Sequence, residues 1–136
     1  MNKVIAPEYQ LLAEFRYALR RFLRFSESAA RQVGLTPQQH QALLAIKGAA
    51  NGEGLTVGEL AERLQVKPHS AVGLADRMES QGLLRRVGGA DRRQVYLRLT
   101  AKASRLLERL AAAHRDELRR IGPSLRALLE SLSPSE

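Results

Sequence analysis

Apolar residues recur at three- and four-residue steps along most of this chain, and the step changes to alternation only once. Leu12, Phe15, Leu19 and Phe22 set the helical period near the start, so Pro7 to about Arg31 is predicted as an amphipathic helix with Gly34 as its stop signal. The next start is marked by Thr36 as N-cap, Pro37 at the first helical position and Gln39 as the capping-box partner. That helix carries Leu43, Leu44 and Ile46 and ends before the turn cluster at 51–54. A second box, Thr56 with Glu59, opens a short helix from Val57 to about Leu64, with Leu60, Ala61 and Leu64 on one face. Pro68 can start another, running to Gln81 and closed by Gly82.

The alternation follows. After "LLRRV" and the turn "GGAD", Val95, Leu97 and Leu99 alternate with Gln94, Tyr96 and Arg98, the period-two signature of a half-buried strand. Gly88 and Gly89 are expected to turn the chain, and all three apolar residues to anchor the strand to the core. Thr100 then caps a long helix whose stripe includes Leu107, Leu110, Leu118 and Ile121. Pro123 is expected to break or kink it, leaving a last short helix with Leu125, Leu128, Leu129 and Leu132. The result is a mainly α chain with a small β-hairpin (α+β). Two short helices, a tight connection and a hairpin describe a winged helix-turn-helix. At 136 residues, 1–136 suits one domain, with 55–99 the winged helix-turn-helix and 7–50 and 100–136 the flanking helical parts.

Charge sharpens this picture. The net charge is +8, and arginine dominates the basic residues. That surplus suits a polyanionic partner, because arginine's planar fork matches phosphate and guanine bidentately. Between Arg63 and Arg98 stand eight basic residues (Arg63, Lys67, Arg77, Arg85, Arg86, Arg92, Arg93, Arg98) against Asp76, Glu79 and Asp91. Most of the surplus therefore falls on the one segment that looks built to read DNA. With no cysteine, disulfides, thiol catalysis and sulfur-ligated zinc are excluded. The start lacks the apolar core of a signal peptide and no run reaches the roughly 18 to 20 apolar residues of a membrane span, so a soluble, cytoplasmic chain is expected.

The helix from Pro68 divides into two faces. Ala71, Leu74, Ala75 and Met78 fall at core spacing, whereas His69, Ser70, Val72, Gly73 and Arg77 lie on or beside the other face, where a major groove could receive them. Lys67, His69 and Ser70 at its amino end suit a phosphate, helped by free amides and the helix dipole. Val72 suits a thymine methyl. Gly73 costs roughly 1 kcal/mol against alanine inside a helix, which is explained either by close approach of DNA or by tolerated drift.

"LTPQQHQALLAI", "LTVGELAERLQVKPHSAVGLADRMESQGLLRR" and "ADRRQVYLRLT" together resemble the multiple antibiotic resistance regulator (MarR) family of bacterial transcription factors, from about Leu12 to Leu118. The most specific part is Asp91-Arg92-Arg93 followed by the alternating strand. The resemblance implies that Arg93 enters the minor groove, that Arg92 lies near the backbone, and that Asp91 orients both. It places the major-groove helix on Pro68 to Gln81. It implies homodimerisation through helices from both chain ends, a double-stranded DNA operator, and a small aromatic or phenolic effector that releases DNA. Around Lys67, Val72 and Gly73 the sequence departs from the family's usual serine, threonine and polar residues, so operator preference does not transfer. The absence of cysteine argues against peroxide sensing, and three scattered histidines (His40, His69, His114) argue against metal sensing.

Plainer readings stand beside these. His114, on the apolar stripe between Leu110 and Leu118, reads as a satisfied core or interface histidine, with pH sensing or ligand binding as the alternative. Arg16, Arg20, Arg21 and Arg24 either line an anion or ligand pocket or form a solvated face. Asp91 can be only a turn residue. No glycine loop, activated nucleophile or metal-spaced cluster supports an enzyme, and no cofactor is expected. The reading is a DNA-binding regulator, a repressor on a pseudo-palindromic operator. The rival is a winged-helix protein-interaction module without specific DNA binding.

Overall fold

The computed structural model describes residues 3–132. Four helices precede a hairpin and one long helix follows it: α1 (Ala6–Gln32), α2 (Pro37–Lys47), α3 (Val57–Leu64), α4 (Pro68–Ser80), β1 (Leu84–Gly88), β2 (Val95–Leu99) and α5 (Ala101–Leu132). Both capping boxes form. Thr36 Oγ1 accepts from the Gln39 amide at 3.1 Å while Gln39 returns a bond to the Thr36 amide at 3.1 Å. Thr56 and Glu59 do the same at 3.2 and 3.0 Å. Each box satisfies two amide donors that a helix start would otherwise leave open.

One core joins all the elements. Ala30 of α1, Leu43 and Ile46 of α2, Leu60 of α3, Leu74 and Met78 of α4, Leu84 and Leu97 of the hairpin, and Leu107 and Leu110 of α5 pack into a single buried cluster. Beyond it, most of α1 and the far half of α5 run on as a helix pair, with Ser26 and Ala30 the only residues of α1 that are buried. The large exposed apolar residues Tyr9, Leu12 and Leu23 of α1 and Leu118 of α5 lie on this extension.

Three expectations are corrected here. Pro123 does not end a helix, because α5 continues through it to Leu132. Gly122 has no Cβ to clash with the proline ring, so the usual penalty on the preceding residue is eased. The half-buried Ile121, Leu125 and Leu128 also keep one apolar face across the proline, facing α1. The helical part assigned to 100–136 is thus a single helix, and its last residues 133–136, like 1–2, lie outside the described residues.

Gly88 and Gly89 do not make the turn. Gly88 pairs with Val95 in the antiparallel ladder, and the reversal runs through 90–93, closed by the Gln94 amide donating to the Asp91 carbonyl at 3.0 Å. Gly89 instead makes room, since a Cβ there would lie 2.2 Å from the Tyr96 ring. Nor does Val95 anchor the strand. It is exposed at the outer end of the hairpin, whereas Leu97 is 1% exposed and Leu99 is half-buried.

The hairpin is rooted twice. Leu97 bridges to Leu55, whose carbonyl accepts from the Leu97 amide at 2.7 Å. At the far end, Thr100 Oγ1 donates to the Gly82 carbonyl at 2.6 Å and accepts from the Ala103 amide at 3.2 Å, tying the end of α4 to the start of α5.

Candidate nucleic-acid interface

α3 and α4 meet across a tight connection. Gln65 closes α3 in the left-handed conformation (φ 56°), which redirects the chain so that Pro68 begins α4 three residues later. Ala71, Leu74, Ala75 and Met78 seat α4 on the core, as the spacing predicts. His69, Ser70, Val72 and Arg77 are exposed on the outward side, with Lys67 and Pro68 exposed at the amino end. Gly73 is half-buried, and the nearest atom to a Cβ there would be Arg77 Nη1 at 3.3 Å. That is the far end of a flexible side chain, so packing within the chain does not require a glycine here.

The hairpin tip carries charge on a fixed turn. Asp91 Oδ1 accepts from the Arg93 amide at 3.0 Å and lies 3.6 Å from Arg93 Nε. Asp91 is therefore a turn residue and an ion-pair partner at once. The Arg93 side chain is 91% exposed and Arg92 is exposed beside it. Tyr96 stiffens the tip from behind, its hydroxyl donating to Gln94 Oε1 at 2.6 Å.

A MarR family model matches residues 33–94, which hold α2, the helix-turn-helix and the first part of the hairpin. Over that stretch the chain is similar to the MarR family. The transcriptional repressor MdtR of Bacillus subtilis is 36% identical over 90 residues, 65% of this chain. That match spans only 56% of MdtR's own length. Among solved structures, MepR, a transcription regulator of the Staphylococcus aureus multidrug efflux pump MepA, shares the fold at a TM-score of 0.71 and 21% identity, over 88% of this chain and 96% of MepR. The M. tuberculosis transcriptional regulator MosR, solved in complex with DNA, is 27% identical at a TM-score of 0.58, over 89% of this chain and 91% of MosR. The MarR-type winged helix and the flanking helices expected from the resemblance are therefore present in the fold.

Two features of this chain escape a reading of the sequence. The first is a buried contact between His40 and His114, whose ring centroids lie 4.9 Å apart although 74 positions separate them. His114 Nδ1 lies 2.7 Å from the Leu110 carbonyl, which only accepts, so that nitrogen carries the proton. Nε2 then takes the Ser26 hydroxyl at 2.8 Å, and Phe22 and Phe25 meet the ring edge-on. His114 is thus a satisfied histidine at the junction of α1, α2 and α5.

His40 is 2% exposed, and its pKa is pushed down from the ordinary 6.5, first by burial and then by His114. Below pH 6.5 the unfolded chain therefore binds a proton that the folded chain resists, so stability is full above that pH and falls as pH drops. Urea titrations from pH 7.5 to 5 are expected to show stability falling below pH 6.5, this group contributing a slope no steeper than about 1.4 kcal/mol per pH unit. His40→Gln should flatten that slope, and an unchanged slope would remove His40 as its source.

The second feature is Arg86, which the charge count placed among the basic residues of this face. The structure turns it back onto α4, 2.8 Å from Asp76 and 2.6 Å from Glu79. Of the arginines on α1, Arg16, Arg20 and Arg24 are exposed; Arg21, also exposed, borders a cleft of about 450 Å³ between α1 and α5 with Tyr17, Phe22, Phe25 and Arg120. No group of three or more metal-ligating side chains occurs among the described residues.

Proposed function

We propose that this chain is a sequence-specific DNA-binding transcriptional regulator, a repressor that binds a pseudo-palindromic operator as a homodimer. The observation that carries the reading is the hairpin tip: an arginine almost wholly in solvent, held at the end of a fixed turn, beside the outward face of α4. In this assignment α4 enters the major groove through His69, Ser70, Val72, Gly73 and Arg77. Lys67 and Pro68 sit at the phosphate-facing amino end, where early helix amides and the dipole favour an anion. Arg93, oriented by Asp91, enters the minor groove, and Arg92 meets the backbone.

The exposed apolar residues of α1 and α5 support a second copy as the dimer partner. Two-fold symmetry would set the recognition helices about 34 Å apart, one turn of DNA. The domain division stands as part of this proposal, with 55–99 reading DNA and 7–50 and 100–132 dimerising. The cleft between α1 and α5 has aromatic walls and supports a small aromatic or phenolic effector. No catalytic step is assigned. No described helix is long and apolar enough to cross a membrane, and a cytoplasmic location belongs to the same proposal.

Sizing the purified chain, then titrating it with random-sequence duplex at two salt concentrations, tests the reading against a protein-interaction module. A dimer whose DNA affinity falls steeply with salt is expected, and a monomer without salt-dependent affinity would overturn the proposal. Within the same assay, Arg92→Ala should lower the slope of log affinity against log salt by about 1 while leaving sequence preference unchanged. An unaltered slope would remove Arg92 from the phosphate contacts.

A further inference from the structure

The recognition helix carries two acids where acids are costly. By helical spacing, Asp76 lies three residues after Gly73 and seven after His69, so it shares their outward face, and Glu79 stands one turn further along. Both carboxylates are partly in solvent, with side chains 62% and 45% exposed. A helix that enters a groove walled by phosphates would meet repulsion from both.

One side chain answers both charges. Arg86, on β1, sends Nη2 to Asp76 Oδ1 at 2.8 Å and Nη1 to Glu79 Oε1 at 2.6 Å. Its guanidinium spans acids three residues apart on α4, and its planar fork turns one Nη group to each carboxylate. Burial alone would lower the Arg86 pKa, but the bonds and charges of Asp76 and Glu79 outweigh it and hold it above the ordinary arginine value. The Arg86 side chain is the least exposed of the three, at 29%.

We propose that Arg86 is a positioning residue for DNA binding: from the hairpin strand it neutralises Asp76 and Glu79, so that α4 can enter a groove walled by phosphates without repulsion from its own acids. The inference rests on the DNA-binding reading above. Arg86 itself need not touch DNA. Stability is not its main role, since a solvent-accessible ion pair adds little to folding. Its effect lies in the field that DNA meets, over distances shorter than the roughly 10 Å screening length at 0.1 M salt.

The test measures affinity for a labelled random-sequence duplex from 0.1 to 0.5 M salt, with thermal melts at fixed protein concentration as the fold control. Arg86→Gln is expected to bind roughly tenfold more weakly at 0.1 M salt, with the gap closing as salt rises. Adding Asp76→Asn and Glu79→Gln to that variant should restore affinity to wild type or above, although it rebuilds no ion pair. Arg86→Lys, which keeps the charge but not the fork, should fall between.

If Arg86→Gln melts early, the two neutralising changes are made on the Lys variant, where they should again raise affinity more than they do beside Arg86. Wild-type affinity in Arg86→Gln would overturn the inference while leaving the DNA-binding reading intact. Weak binding that neutralising the acids fails to repair would overturn it too, and would point to direct contact of Arg86 with DNA. Wild-type protein with no DNA affinity would instead sink the functional reading itself.

Discussion

Arg93→Ala is expected to weaken binding to a cognate duplex by about 1–3 kcal/mol, on the order of 5- to 150-fold, with little change in folding stability. The side chain is 91% exposed, and its one ion-pair partner among the described residues is Asp91, 3.6 Å away. The turn itself is held by the Arg93 amide, which alanine keeps. A surface change of this kind usually moves stability by no more than about 0.5 kcal/mol. Nearly all of the loss should therefore appear in binding.

The loss should also depend on sequence. A narrow minor groove concentrates negative potential, so the penalty should be largest on duplexes with A-tracts where the tip falls, and smaller on G·C-rich flanks. Duplexes recovered by genome-wide mapping of bound sites provide the titration set. Equal affinities for Arg93→Ala and wild type across that set would remove the hairpin tip from the interface. A uniform loss, independent of flank composition, would move Arg93 from the minor groove to the phosphate backbone.

Much of the fold was legible because its signals are local. Thr36 with Gln39 and Thr56 with Glu59 announce helix starts through residues three apart, and the boxes form as read. The core face of α4 follows from spacing alone, and so does the exposure of His69, Val72 and Arg77. What escaped depends on partners distant in sequence. Nothing near His40 names His114 as its neighbour.

Val95 and Pro123 failed for a related reason. Alternation predicts which side of a strand an apolar residue takes, but not that Val95 extends past the edge of the core. Proline's local cost was outweighed by an adjacent glycine and by an apolar face that continues along α1. For the interface, the tip arginines were legible as a charged run after a turn. The pairing that removes Arg86 from the free charge was not, although its signal was present: acids at i and i+3 on a helix followed closely by a basic strand.

The root of the hairpin gives the largest expected effect on stability. Gly54 is buried with φ at +103°, and a Cβ there would lie 2.1 Å from the Leu97 carbonyl oxygen and 3.2 Å from its carbon. The obstacle is backbone, so no side chain can swing aside. Gly54→Ala must either separate the Leu55–Leu97 bridge, with its 2.7 Å hydrogen bond, or displace Leu97 from the core. Adding strain at a glycine-only conformation, a lost bridge and a disturbed leucine gives a cost of about 3 kcal/mol or more. For a chain of this length that lowers the melting temperature by roughly 10 °C, measured at fixed protein concentration because dimerisation would shift it. Gly52→Ala separates the two causes. Its φ is also positive, +72°, but nothing lies within 4 Å of the added Cβ. It should therefore cost only the conformational term, roughly 1–2 kcal/mol. Equal melting temperatures for the two variants would mean that the bridge gives way without cost. The hairpin would then be held by Leu97 burial and the Thr100 bonds alone, and the tip would keep its DNA affinity in Gly54→Ala.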